Sequence, residues 1–116
     1  MKTVLTPEES HRLIDLGVDP KLASKETFIF NKIFTLTDIL AILPKEIEDS
    51  NLDIISTQVD IKNHKKVSGW MATYIDSHND LTFTDGLVFQ APELIDALYS
   101  LLVWVLKNGH SITVKK

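Results

Sequence analysis

The sequence contains no cysteine, which excludes a disulfide framework and any metal site built on thiolates. It also lacks a long hydrophobic run. The longest unbroken stretch, Leu101 to Leu106, is far shorter than the twenty or so apolar residues that span a bilayer. The opening Met1-Lys2-Thr3-Val4-Leu5-Thr6-Pro7-Glu8-Glu9 turns acidic before any apolar region of leader length, so no secretory leader is expected and a cytoplasmic location follows by elimination. Positive charge is scarce. The formal net charge is −4, and the only adjacent basic pairs are Lys65-Lys66 and Lys115-Lys116. Phosphate contacts need clustered Lys or Arg, so neither a nucleic-acid partner nor an anionic membrane is expected. There is no Gly-x-Ser-x-Gly elbow and no glycine-rich phosphate loop, which removes the common signatures of nucleophilic hydrolysis and nucleotide binding. No cofactor is expected.

What is present is an ordinary globular composition. Of 116 residues, 44% are hydrophobic and 24% charged, enough for one domain with one core. Thr6 and Glu9 form a capping box with Pro7 at the first helical position, and Gly17 can stop the helix with Val18 folding back on Leu13. Asp19-Pro20 suggests a second cap and turn through Ser24, giving a helical arm over residues 1–25 ahead of an α+β core over 26–116. Thr27 to Phe30 is β-prone, and Asn31-Lys32 reads as a turn. A second capping box, Thr35 and Asp38, opens a short amphipathic helix with Leu36, Ile39, Leu40 and Leu43 at helical spacing, stopped by Pro44.

The period then changes. Ile55, Thr57, Val59 and Ile61 alternate with Ile54, Ser56, Gln58 and Asp60 as a half-buried strand, broken at residues 63–66. Val67 to Ile75 is apolar on both faces and reads as the central strand. A turn at Ser77-His78-Asn79-Asp80 leads to a third strand from Leu81, interrupted at Asp85-Gly86 before Leu87-Val88-Phe89. From Pro92 to Asn108 the sequence is helical and apolar on nearly every side, with Lys107 in the last turn and Gly109 at the stop. The expected architecture is an antiparallel meander of three or more strands packed with a long C-terminal helix and a short amphipathic helix.

Several phrases occur together: Leu5-Thr6-Pro7-Glu8, Leu16-Gly17-Val18, Ile33-Phe34-Thr35-Leu36-Thr37-Asp38, Leu43-Pro44-Lys45-Glu46-Ile47 and Glu93-Leu94-Ile95-Asp96-Ala97-Leu98-Tyr99. In these the chain resembles a family of small uncharacterised proteins encoded in prophages and other mobile elements of gut Bacteroides-type bacteria. The resemblance covers nearly the whole length and is weakest over 51–90. It implies a mobile-element context and carries no activity or functional residue.

Residues 13–24 fit a helix-turn-helix loosely, but a recognition helix needs basic or amide side chains aimed at base edges, and Pro20-Lys21-Leu22-Ala23-Ser24-Lys25-Glu26 offers few. Helix, three strands, helix is also the order of the double-stranded-RNA-binding fold. Its final helix begins with basic residues, however, where Pro92-Glu93-Leu94-Ile95-Asp96 is acidic. Asp76, His78 and Asp80 hint at a metal loop, but the calcium-loop positions beyond them hold Leu81 and Leu87, so a hairpin tip is the better reading. Asp53, Asp60, Asp76 and Asp85 lie on or beside strands with no mark of a catalytic pair. The resulting expectation is a non-enzymatic interaction or adaptor protein acting as a small homo-oligomer, most simply a homodimer, with an unidentified protein partner allowed for. The alternative is a nucleic-acid-associated regulator using the N-terminal arm. Trp70, Tyr74, Leu98, Leu101, Leu102, Trp104 and Val105 are the candidate interface residues, because an all-apolar helix and a two-faced apolar strand both demand cover.

Overall fold

A computed structural model describes residues 1–26, 32–47, 50–75 and 88–112. The expected third strand at 81–84, the Asp85-Gly86 interruption, the 76–80 turn and the β-prone 27–30 run lie outside the described residues. Among the described residues, three α-helices and two antiparallel sheets make an α+β fold. Helix α1 spans Pro7–Asp15, a two-stranded ribbon pairs β1 (Lys25–Glu26) with β2 (Lys32–Ile33), and α2 spans Leu36–Ile42. The main sheet has the order β3-β4-β5-β6, with β3 at Glu46–Ile47, β4 at Ser50–Ile61, β5 at Lys65–Ile75 and β6 at Phe89–Ala91. Helix α3 spans Leu94–Lys107. The molecule measures 43 × 37 × 19 Å, the thickness of one sheet with one helical layer on it.

Local chemistry sets the helix ends. In α1 and α2 the threonine at the N-cap accepts the N–H of the third helical residue, and that residue's carboxylate accepts the threonine N–H in return. At Gly17 (φ +114°) the Val18 N–H donates to Leu13 and the Gly17 N–H to Ile14, a complete Schellman stop. Gly109 (φ +74°) repeats it at the end of α3, with His110 donating to Val105 and Gly109 to Leu106. Helix α3 starts two residues later than its sequence suggests. Glu93 stands at the N-cap, and its carboxylate accepts the backbone N–H of Lys2 at 2.9 Å instead of turning back on its own helix.

Among the described residues, the core joins the N-terminal region, the middle of the chain and α3. Leu5, Leu13 and Val18 from the N-terminal region are buried in one cluster with Phe34, Ile39, Ile42, Leu43, Ala72, Tyr74 and the inner face of α3. Residues 3–5 run beside 34–36, tied by Leu5 N–H to Phe34 O and Leu36 N–H to Thr3 O, so the first 25 residues are part of the same hydrophobic unit. Helix α3 packs on β5 and β6, and α2 packs against α3. The second element of the helix-turn-helix-like segment is one 3₁₀ turn, Pro20–Leu22. Among the described residues, no helix is long and apolar enough to cross a membrane.

Two sets of residues alternate along β4, and the structure decides which of them faces the core. Ile55 and Ile61 are 43% and 38% exposed, and the residues that pack on the core are Leu52 and Ile54. The register explains this: Leu52 sits opposite Tyr74 and Ile54 opposite Ala72, both fully buried, and directly paired residues share a sheet face. Within the other set only Val59 is buried.

Candidate interaction surface

The longest pairing among the described residues is the β4–β5 hairpin, from Asn51 opposite Ile75 to Ile61 opposite Lys65, with an unbroken register. Its turn is Lys62-Asn63-His64, where Asn63 takes φ 64°, ψ 32°, the left-handed conformation that asparagine tolerates and three-residue hairpin loops need. On its outer side β4 meets β3 only at Ser50 and Asn51, followed by Leu52 N–H donating to Lys45 O at 2.9 Å. From there to Ile61, no described strand lies against that edge.

The Leu52–Lys45 bond also fixes which groups face outward. In an antiparallel ladder, successive residues direct their N–H and C=O alternately to one side and the other. Leu52 points away from β5, so Ile54, Ser56, Gln58 and Asp60 do as well. Edge strands that avoid association carry lysine or proline, or are bulged or short. The stretch 52–61 has no lysine, arginine or proline and no bulge. Of its two charges, Asp60 is paired with Lys66 at 3.1 Å. The basic residues cluster at the tip instead, as Lys62, Lys65 and Lys66, all exposed. The other end carries Lys45 against Glu46 and Asp53, giving a hairpin with a basic tip and a mildly acidic base.

The other polar clusters are internal fastenings. Lys2 Nζ binds Asp96 at 2.7 Å and Glu9 at 3.3 Å, tying the first residues to the start of α3. The Asp96 hydrogen bond raises the Lys2 pKa against the opposing effect of burial. Asp38 is buried and accepts from Ser24 N–H at 2.7 Å, the Ser24 hydroxyl, and Thr35 N–H at 2.9 Å. Burial works to raise its carboxyl, but these bonds outweigh it and hold the pKa below the usual aspartate value. Tyr74 is fully buried and donates its hydroxyl to Pro44 O at 2.7 Å, and burial pushes its phenol well up. Among the described residues, no buried side-chain polar atom lacks a partner and no three His, Asp or Glu side chains gather as a metal group. The Asp76–His78–Asp80 loop lies outside the described residues.

The sequence-derived interface residues divide in two. Tyr74, Leu98, Leu101, Leu102 and Val105 are fully buried in the chain's own core, which withdraws them from contact with a second chain docking on this fold. Trp70 and Trp104 are half-buried against the core. Trp104 stacks on His110 with ring centroids 5.6 Å apart. Trp70 sits directly opposite Ser56, one strand in from the outer edge of β4 and on the same face as Ser56. The edge itself escaped sequence reading, because the signal for it, an alternating strand without lysine or proline, is shared by strands that have neighbours on both sides. No family model, no curated protein and no solved structure matches this chain.

Proposed function

We propose that the protein is a non-enzymatic interaction module that works as a small oligomer, engaging its partner by strand addition to the outer edge of β4. The observation that carries this reading is the stretch from Leu52 to Ile61, with its row of outward N–H and C=O groups and none of the side chains that blunt an edge. In strand addition, main-chain hydrogen bonds supply the affinity and alternate side chains supply the selectivity. Here those side chains are Ile55 on one face and Ser56, with Trp70 behind it, on the other. The mobile-element context that the sequence resemblance implies would place such an adaptor in an element's assembly or regulation, and the role itself rests on the β4 edge alone. Multi-angle light scattering over micromolar and higher concentrations tests the oligomer, with a mass above that of one chain, rising with concentration, as the expected result. A monomer mass throughout that range refutes it.

A further inference from the structure

Resting on that reading, we propose that the occupant of the β4 edge is a second copy of this chain, paired antiparallel about a two-fold axis through Thr57. The outward-facing residues without a described neighbour are Ile54, Ser56, Gln58 and Asp60, and they lie symmetrically about Thr57. Pairing about that residue sets Ile54 opposite Asp60 of the second copy and Ser56 opposite its Gln58, so each outward N–H and C=O acquires a partner. Moving the axis to Ser56 leaves Asp60 facing Leu52, whose N–H is already held by Lys45. A two-fold axis perpendicular to the sheet preserves its faces, so the half-buried side of one copy continues into that of the other.

Side-chain chemistry agrees with this register. Exposed Ile55 meets Val59 of the second copy, Thr57 meets its own equivalent, and Asp53 meets Ile61, so no like charges stand opposite one another. β-Branched cross-strand pairs of this kind stabilise a sheet. Antiparallel pairing also carries the basic tip of each hairpin, Lys62, Lys65 and Lys66, toward the base of the other, where exposed Glu46 and half-buried Asp53 outnumber Lys45. The paired strands, Asp53 to Ile61, run ~31 Å at ~3.4 Å per residue. A single strand-to-strand contact is a small interface beside the ~800 Å² per partner of a standard complex, so dissociation in the micromolar range is expected.

The absence of native cysteine gives a direct test in the full chain. Thr57 is a non-hydrogen-bonded position on the axis, where the two Cα atoms approach to ~4.5 Å, within the span of a disulfide. Thr57→Cys is expected to give a covalent dimer on mild oxidation. Ile55→Cys is expected not to, since its equivalents lie about four residues, ~13 Å, out of register. Ser56→Pro removes one outward N–H while sparing the β4–β5 ladder, and is expected to weaken the dimer at least tenfold by light scattering with the circular dichroism spectrum unchanged. Should Ser56→Pro not fold, the cysteine pair still decides the matter. A wild-type dimer in which Thr57→Cys links no faster than Ile55→Cys overturns this inference and leaves the proposed oligomer standing. A wild-type monomer overturns both.

Discussion

Replacing Gly69 with alanine separates two opposed effects cleanly. In open strand, the change stabilises by about 0.5–1 kcal/mol, because glycine loses the most conformational freedom on folding. Gly69 is not in open strand. A methyl group there would stand 2.6 Å from Ala91 O, 2.8 Å from Val59 Cγ2 and 3.1 Å from Pro92 Cα. Two of these are backbone atoms, and Ala91 is held by its pairing opposite Trp70, so relief means pulling β6 away from β5. Overpacking of this kind costs about 1–3 kcal/mol or more, which leaves Gly69→Ala less stable by about 1–2 kcal/mol after the entropic gain is subtracted. At this chain length that corresponds to a fall of roughly 4–8 °C in Tm. Urea unfolding followed by tryptophan fluorescence should show a lower midpoint at unchanged slope. A variant as stable as the parent, or more stable, would refute the close approach of the β6–α3 connection to β5.

Asp38→Asn should lower stability by about 1–2 kcal/mol at pH 7, since it weakens the α2 cap and the tie to Ser24. Because the folded carboxyl lies below its ordinary value, its contribution is present above about pH 4 and is lost as the pH falls through the folded pKa. Urea midpoints at pH 7 and pH 3 should therefore converge more in the variant than in the parent. Tyr74→Phe leaves the Pro44 carbonyl without its donor and should cost about 1–2 kcal/mol in the same unfolding assay. An unchanged midpoint would mean that the carbonyl finds another donor.

Local chemistry was legible from the sequence where a few adjacent residues decide the outcome. The Thr6–Glu9 and Thr35–Asp38 boxes, the Gly17 and Gly109 stops, and the change of hydrophobic period between residues 43 and 67 all took their expected form, because each hydrogen bond or conformational preference involved closes within one or two turns of chain. Central strand β5 was legible too, since a strand apolar on both sides has only a sheet interior to occupy. Tertiary structure decided everything that depended on which surfaces meet. Lys2 reaches Asp96 and Asp38 reaches Ser24, contacts between residues too far apart for any spacing rule. The cover that α3 required came from Leu5, Leu13, Val18 and α2 as well as from the sheet, which is why most of the candidate interface lies inside one chain. In β4, alternation alone marked a strand but left its phase undetermined, because Ile54 and Ile55 are equally apolar neighbours. The register that sets Ile54 opposite buried Ala72 turned Ile55 to the outside and left the strand's other edge without a described neighbour beyond Leu52, since a strand's sequence states its period while only its partners decide its face and its free side.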